Sequence, residues 1–264
     1  MNLAALVAYD GTRFAGFQRQ SPDKGPTVQG ALEEALRRIA GEAITIEGAG
    51  RTDTGVHASG QVVNALVPAR LAPKDWQRAL NALLPPDVAV RAACEAPPEF
   101  RARRSAVSRG YRYRILRDAV RSPLRERYAW RVAAPLDVAA MQAAATLLLG
   151  EHDFAAFGSS PGRGGAGMRG GTVRRLFEAE CRQLVAAGEP DEVECRFTAN
   201  AFLTGMVRRL VGALALVGEG RLTVADFRAI LEARDGNHPG AAAPACGLCL
   251  SSVEYPVGLI SWAT

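Results

Sequence analysis

The chain has 264 residues, 48% of them hydrophobic, and a formal net charge of +5, so it is long enough to bury a core without disulfides or metal ions. No segment reaches the roughly 18 consecutive apolar residues of a membrane span, and the amino terminus lacks the basic region and cleavage site of a secretory signal. The composition therefore argues against membrane and secreted proteins, and we expect a cytoplasmic protein.

Predicted strands alternate with amphipathic helices in the first half of the chain. Residues 3–9 form an apolar run that Asp10 and Gly11 close, which predicts a buried strand and a turn. Thr27 is a helix-capping residue type, and apolar residues recur at helical spacing from there to Gly41, with Glu33 among the charged residues on the opposite, solvent face. Further strands are predicted at residues 44–47, 61–67, 88–95 and 111–116, and a further helix at residues 74–84.

The second half repeats this mixture after an arginine- and proline-rich stretch at residues 121–127. The pattern predicts helices at residues 136–149, 206–217 and 224–233, and strands at residues 173–184, 192–198 and 248–255. We therefore predict an α+β fold of two domains, residues 1–117 and 118–264, each with a mostly antiparallel sheet covered by helices.

The residues from Gly158 to Gly171 are rich in glycine, and they predict a mobile loop in the second domain. Arg163 and Arg169 in this loop are suited to holding a phosphate backbone. A plain flexible connector explains the same composition equally well, and both interpretations stay open.

Arginine supplies the positive charge, since all but two of the 32 basic residues are arginines. Its planar guanidinium pairs with phosphate and stacks on bases. Six arginines occur with Tyr111 and Tyr113 between Phe100 and Ile115, as a phosphate-binding surface with a stacking platform would require. The alternative is a charged strand edge, and the segment favours nucleic acid.

The cysteines and histidines do not predict a metal site. The five cysteines are odd in number and scattered, which is typical of reduced thiols. Cys246 and Cys249 lack the second ligand pair of a zinc site, and we interpret them as small core side chains. No partner stands at metal-ligand spacing from the three histidines, which are His57, His152 and His238.

Residues 48–61, GAGRTDTGVHASGQ, form a predicted loop between two strands and contain few core-building residues. Arg51, Thr52, Asp53 and His57 bring charge, hydroxyl and imidazole together there. One interpretation is a simple turn in which Asp53 caps backbone amides and pairs with Arg51. The other is a catalytic loop, because a carboxylate beside arginine stays charged and suits covalent or electrostatic work at an electron-poor sugar carbon.

The GRTDTGVHASGQ stretch resembles the catalytic segment of the tRNA pseudouridine synthase A family. Six further segments resemble that family in the same order and spacing: YDGTRFAGFQRQ, NALLPPDVAV, FRARRSAVSRGYRYRI, GEHDFAAF, ANAFLTGMVRRLVG and GLCLSSVEYP. The resemblance implies a pseudouridine synthase fold with a central basic cleft. It further implies a homodimer that isomerises the uridines at tRNA positions 38, 39 and 40 in the anticodon arm, with no cofactor and no metal.

The resemblance also implies roles for individual residues. Asp53 of RTDTGVHA corresponds to the catalytic carboxylate. The implied substrate-binding residues are Tyr111, Arg51, Arg208, Thr52 and His57. Tyr111 of GYRY would stack on the target base, Arg208 of MVRR would pair with Asp53, and Arg51 would help draw the uridine out of its helix. Whether Asp53 attacks the sugar or the uracil ring stays open.

Two other functions compete with the synthase. A non-catalytic RNA-binding module would have no need of Asp53. A carboxylate-dependent glycoside or nucleoside hydrolase normally has a second acidic residue across the scissile bond, and no second carboxylate flanks Asp53 in its segment. We therefore rank the synthase first, the RNA-binding module second and the hydrolase third.

Overall fold

The structure, a computed structural model, describes residues 1–158, 171–184, 191–234 and 240–262. All of the predicted site residues lie in these ranges. His238 and most of the glycine-rich segment, including Arg163 and Arg169, lie outside the described residues. Within the described ranges, no helix has the length and apolar character needed to cross a membrane.

Helices and strands are mixed along the whole chain. In chain order, the strands of the described residues are β1 (Asn2–Tyr9), β2 (Glu47–Gly48), β3 (His57–Leu66), β4 (Val88–Ala96), β5 (Ser108–Arg117), β6 (Trp130–Val132), β7 (Gly150–Asp153), β8 (Val173–Leu184), β9 (Asp191–Ala199) and β10 (Leu248–Glu254). The α-helices are α1 (Val28–Ala40), α2 (Pro73–Leu83), α3 (Val138–Thr146), α4 (Met206–Gly218) and α5 (Val224–Ala233). The α+β prediction is confirmed, and β6 and β7 are additions that the sequence pattern does not predict.

The backbone divides into two compact units. The first comprises residues 1–109 and 249–264, and the second comprises residues 110–248. These limits differ from the predicted division after residue 117, because the change of unit falls inside β5 and the last segment returns to the first unit. Each unit contains its own strands and helices.

The sheet of the first unit has the strand order β4-β1-β3-β10, with β2 paired to β3. Strand β1 is antiparallel to β3 and β4, whereas β10 runs parallel to β3. Leu32 of α1 and Leu80 of α2 line one small apolar space together with Leu3 and Val63 of the sheet. Both helices therefore cover the same face of the sheet, and β3 lies in its interior.

Helix α1 begins and ends where its sequence predicts. The side-chain oxygen of Thr27 accepts a hydrogen bond from the Gly30 N–H at 3.2 Å, which satisfies one of the free donors of the first turn. At the other end, Gly41 adopts a left-handed conformation with φ of 82°. Glycine enters that region without steric cost, so it ends the helix.

The prediction that Glu33 faces solvent is wrong. Its carboxylate is buried, accepts hydrogen bonds from Gln29 Nε2 at 2.8 Å and from the Ile46 N–H at 3.1 Å, and pairs with Arg19. A buried carboxylate requires such partners. The strand predicted at residues 44–47 is largely wrong, because pairing with β3 is confined to Glu47 and Gly48, so only Glu47 of that segment belongs to a strand.

The sheet of the second unit has the strand order β5-β9-β8-β7, and β6 runs parallel to β5. Strand β8 is antiparallel to β7 and β9, so both units are mostly antiparallel as predicted. Buried Val193, Cys195 and Phe197 alternate along β9 with Glu192 and Glu194. Since successive side chains of a strand point to opposite faces, one face of this sheet is apolar and the other is charged.

Ion pairs organise the charged face. Glu194 is buried and accepts hydrogen bonds from Arg182 at 2.9 Å and from Arg196 at 2.7 Å. Burial disfavours the charged carboxylate, but these hydrogen bonds outweigh burial and hold the pKa of Glu194 below its usual range. Arg112 and Arg114 of β5 lie 3.8 Å from Glu194 and Glu192 respectively. These arginines are therefore part of the structure of the sheet.

Candidate active site

The candidate site centres on residues 49–56, which connect β2 to β3 and which we call the RTD loop. The predicted loop is longer than the observed one, because residues 57–61 belong to β3. The Ala49 N–H donates to the Val62 carbonyl at 2.8 Å, so the loop leaves the sheet at a fixed point. Inside the loop, the Val56 N–H donates to the Asp53 carbonyl at 3.1 Å and closes a tight turn.

Two side chains hold the beginning of the RTD loop. Gln61 of β3 is fully buried, and its amide donates to the Gly50 carbonyl at 2.7 Å and accepts from the Gly50 N–H at 3.2 Å. The guanidinium of Arg109 donates to the Ala49 carbonyl at 3.1 Å. Arg109 also donates to the carbonyls of Arg103 at 2.5 Å and Ala106 at 3.2 Å. The backbone on both sides of the Ala49–Gly50 peptide bond is thereby fixed.

Strand β1 and the segment after it hold the middle of the RTD loop. Thr52 is buried, and its hydroxyl lies 2.8 Å from the hydroxyl of Tyr9, within hydrogen-bonding distance. The Thr52 carbonyl accepts a hydrogen bond from the Phe17 N–H at 3.0 Å. A Cβ atom on Gly11 would lie 2.0 Å from the Val56 carbonyl oxygen, so only glycine permits this approach.

Asp53 and Arg51 occupy the accessible part of the RTD loop. Asp53 is half-buried, and Arg51 and Thr54 are exposed. Thr52, between the two charged residues, turns its side chain into the protein and anchors the loop. The loop therefore presents a carboxylate and a guanidinium at the surface of the first unit on a backbone that is held from within.

His57 is buried at the first position of β3. Its Nδ1 lies 3.0 Å from the Gly11 nitrogen and 3.2 Å from Asp10 Oδ1. When Nδ1 carries no proton, it accepts a hydrogen bond from the Gly11 N–H. This bond connects the turn after β1 to the end of the RTD loop. The predicted contact of His57 with substrate stays a prediction.

Tyr111 and Tyr113 of β5 are both buried, with exposures of 8% and 0%, but their contacts differ. Tyr113 is completely buried, and its hydroxyl donates to the Pro244 carbonyl at 2.8 Å. Burial raises the pKa of this phenol well above its ordinary value. The prediction of a two-tyrosine stacking platform is therefore wrong for Tyr113. Tyr111 packs edge-on against Phe202 with ring centroids 5.1 Å apart.

The arginines between Phe100 and Ile115 fall into two groups. Arg112 and Arg114 pair with carboxylates of β9, and Arg109 binds backbone carbonyls beside the RTD loop, so these three guanidinium groups stabilise the fold. The remaining arginines of the segment are exposed, and they are Arg101, Arg103 and Arg104. The phosphate-binding surface stays a prediction, with Arg101, Arg103 and Arg104 as its exposed arginines.

Arg208 lies in the first turn of α4, in the second unit. Its Nε donates to the Ala243 carbonyl at 2.6 Å, and the Ala243 N–H donates to the Arg208 carbonyl at 2.9 Å. This double contact fixes the helix end and the side chain together. Asp53 belongs to the first unit, and the predicted ion pair between Arg208 and Asp53 stays a prediction.

Three further side chains with reactive or metal-binding groups are Cys246, Cys249 and His152. Cys246 and Cys249 are half-buried, so they are less enclosed than the predicted core side chains. His152 is hydrogen-bonded to the Leu149 carbonyl at 2.9 Å. Within the described part of the chain, no group of three or more histidine, cysteine, aspartate or glutamate side chains is arranged to hold a metal ion.

Comparison with known proteins shows similarity over nearly the whole chain. A family model described as tRNA pseudouridine synthase matches residues 5–103 and 144–256, and Tyr111 falls between these two ranges. A solved structure, a Cbf5-Nop10-Gar1 complex, is similar over 81% of this chain and 44% of its own chain. Its TM-score of 0.32 and sequence identity of 13% are too low to support a conclusion.

Curated relatives are much more similar in sequence. The tRNA pseudouridine synthase A of Solidesulfovibrio magneticus is 46% identical over 256 residues, covering 96% of this chain and 90% of the relative. The proteins of the same name from Moorella thermoacetica and Methylobacterium nodulans are 42% and 43% identical, with at least 96% of both chains covered. By this similarity and by the family match on both sides of β5, the chain belongs to the tRNA pseudouridine synthase family.

Proposed function

We propose that this protein isomerises uridine to pseudouridine at positions 38, 39 and 40 in the anticodon arm of tRNA, with Asp53 as the catalytic carboxylate. Family membership supports the reaction, and the segments shared with the synthase A family support the choice of uridines. The observation that carries the role of Asp53 is its position on the RTD loop, half-buried and flanked by contacts that hold Gly50, Thr52 and Val56. Catalysis requires a reactive group held in place by its surroundings.

The chemistry explains why one carboxylate is sufficient. The bond between N1 of uracil and C1′ of the sugar breaks, the ring turns, and C5 bonds to the same C1′. The proton lost from C5 is balanced by a proton gained at N1, so no group is transferred and no electrons are exchanged with a second molecule. Asp53 stabilises or traps the electron-poor sugar, or adds to the uracil ring, as carboxylates do in related glycosidic chemistry.

Substrate binding requires the target base to leave its helix, which costs a few kcal/mol. In the proposed complex, Tyr111 stacks on the extruded base, and its edge-on contact with Phe202 keeps the ring in one orientation. Arg51, which is exposed beside Asp53, helps to draw the uridine out, and Arg208 pairs with the Asp53 carboxylate. Thr52 and His57 are the remaining proposed substrate-binding residues, and both side chains are buried.

The proposal includes a cytoplasmic homodimer that binds tRNA. The resemblance of seven segments to the synthase A family supports this assembly, because members of that family act as homodimers. The net charge of +5 and the predominance of arginine are suited to a polyanionic partner. A central basic cleft is part of the same proposal.

Release of tritium from C5-labelled uridine in unmodified tRNA tests the function. We expect the purified protein to release tritium without added cofactor, and we expect release to stop when the uridines at positions 38, 39 and 40 are all replaced by cytidine. Unchanged release from the substituted tRNA would contradict the proposed positions. Binding without any release would favour the RNA-binding module, and free uracil among the products would favour the hydrolase.

A further inference from the structure

Gln61 and Tyr9 contact the RTD loop from inside the first unit, and sequence comparison alone does not connect them to Asp53. Gln61 is fully buried in β3, where a primary amide can both donate and accept. Its Nε2 donates to the Gly50 carbonyl at 2.7 Å, and its Oε1 accepts from the Gly50 N–H at 3.2 Å. Leucine has a similar size but can form neither bond.

Tyr9 extends this contact to the next residues of the RTD loop. Its hydroxyl is 2.8 Å from the Thr52 hydroxyl, and the amide of Gln61 donates to the same Tyr9 oxygen at 3.5 Å. One hydrogen-bonded group therefore connects the half-buried Gly50 to the buried side chains of Gln61, Tyr9 and Thr52. Each member requires the others, because a buried polar atom without a partner is unfavourable.

This group ends at the residue immediately before Asp53. Gly50 and Gly55 give the RTD loop freedom to adopt several backbone conformations. The contacts of Gln61 and Tyr9 select one of them, and the Phe17 N–H holds the Thr52 carbonyl from the other side. A displacement of about 1 Å at a catalytic group can reduce a rate by roughly 10²-fold.

We propose that Gln61 and Tyr9 are positioning residues that fix Asp53 through Gly50 and Thr52. The inference rests on the proposed catalytic role of Asp53 and adds the reason for its placement. The two residues act on the rate of the chemical step and leave tRNA binding unchanged.

Steady-state kinetics of Gln61→Leu and Tyr9→Phe test this inference. We expect kcat to fall roughly tenfold in each variant, with KM for tRNA unchanged, because the loop is loosened without removal of a substrate contact. Tyr9→Phe keeps the ring and loses one oxygen, so it folds even if Gln61→Leu does not. Gln77→Leu is the matched control, since Gln77 bonds the Val90 and Arg91 carbonyls elsewhere in the first unit.

The control separates positioning from stability. We expect Gln77→Leu to lower the unfolding temperature and to retain the wild-type kcat at a temperature where every variant is folded. Wild-type kcat in Gln61→Leu and Tyr9→Phe, or a rise in KM alone, would overturn the inference. An Asp53→Asn variant measured alongside distinguishes this failure from failure of the proposed function, because an active Asp53→Asn protein would remove the basis of both.

Cys181 and Cys195 form a separate pair of interacting side chains in the second unit. The two cysteines are directly opposite each other on β8 and β9, and their sulfur atoms are 2.8 Å apart. Both are buried, with exposures of 3% and 0%. No sequence motif connects these two cysteines, but the pairing of β8 with β9 brings their sulfur atoms together.

The backbone around Cys181 identifies the type of pair. The Cys181 N–H donates to Gln142 Oε1 of α3 at 2.6 Å, so it points away from β9. In an antiparallel ladder this occurs at a non-hydrogen-bonded pair, where the Cα atoms are about 4.5 Å apart. That separation lies within the roughly 4.4–6.8 Å that a disulfide spans.

We infer that Cys181 and Cys195 form a disulfide across β8 and β9 when the protein meets a small-molecule disulfide. One thiolate attacks the small disulfide and releases one thiol, and the second cysteine then displaces the other thiol. The two cysteines lose two electrons and two protons in total, and the small disulfide gains them. The pKa of the Cys195 thiol is raised by its contact with Cys181 and by burial, so the exchange is slow.

Thiol counting after prolonged incubation with oxidised glutathione tests this inference. We expect a peptide cross-link between Cys181 and Cys195 in the mass spectrum, and a loss of two free thiols beyond those that form mixed disulfides with glutathione. Cys195→Ala should prevent the cross-link, and Cys94→Ala, which changes another buried cysteine, should not. Five remaining thiols, a different cross-link, or only mixed disulfides with glutathione would overturn the inference.

Discussion

Replacement of Asp53 by asparagine is expected to reduce tritium release by roughly 10⁴-fold or more, as loss of an essential catalytic group does in other enzymes. Asparagine has the same size as aspartate but carries no charge and is a much weaker nucleophile. The turn of the RTD loop should survive, because the bond from the Val56 N–H goes to the Asp53 backbone carbonyl. Single-turnover assays at saturating enzyme would measure the chemical step directly.

The neighbouring Thr54 provides the matched control for this experiment. Thr54 is exposed on the same loop, and Thr54→Ala should retain wild-type release. Filter binding of labelled tRNA should show that Asp53→Asn still binds the substrate. An Asp53→Asn protein with wild-type release would show that another group performs the reaction, and the proposed mechanism would then be wrong.

Replacement of Tyr111 by alanine is expected to have the second largest effect, a loss of about 10²-fold in kcat/KM. Stacking of a base on an aromatic ring contributes roughly 1–3 kcal/mol, and an additional proton-transfer role of the hydroxyl would add to this loss. Tyr111→Phe keeps the stacking ring, so it should retain most of the activity if stacking is the main role. The rates of the two variants therefore separate the ring from the hydroxyl.

Tyr113→Phe is the control for this comparison. Tyr113 is two residues away on the same strand, its ring is completely buried, and its hydroxyl donates to the Pro244 carbonyl. The change should lower the free energy of unfolding by about 1 kcal/mol through loss of a hydrogen bond and leave the rate unchanged. Equal activity of Tyr111→Ala and the wild-type protein would contradict the stacking role.

Local sequence signals predict the helices well, and they predict the strands less well. Thr27 and Gly41 mark the ends of α1 because capping depends on neighbouring backbone groups alone. Helix α5 likewise has the predicted limits, and its Thr223 and Asp226 form a reciprocal cap. The pattern at residues 44–47 overstates the strand, because pairing with β3 starts only at Glu47 and this register is not encoded locally.

Motif comparison identifies the candidate site residues, but it does not identify the residues that hold them in place. Asp53 and Arg51 are visible in the sequence because few core-building residues surround them. The match between Gln61 and Gly50 depends on the register of β3 beside the loop, and no local pattern encodes it. The same holds for Tyr111 and Tyr113, whose different contacts with Phe202 and Pro244 follow from tertiary packing.

Because residues 249–264 belong to the first unit, that unit can be completed only after the second unit has been synthesised. Ser59 on β3 and Cys249 on β10 are 190 residues apart, yet their side chains approach within 3.7 Å. A ribosome therefore releases β3 long before it releases the parallel neighbour of that strand, and pairings between such distant residues form late. Until β10 is synthesised, the edge of β3 that β10 later covers is open to pairing with other chains. The time spent translating the second unit sets how long a nascent chain carries this unprotected edge.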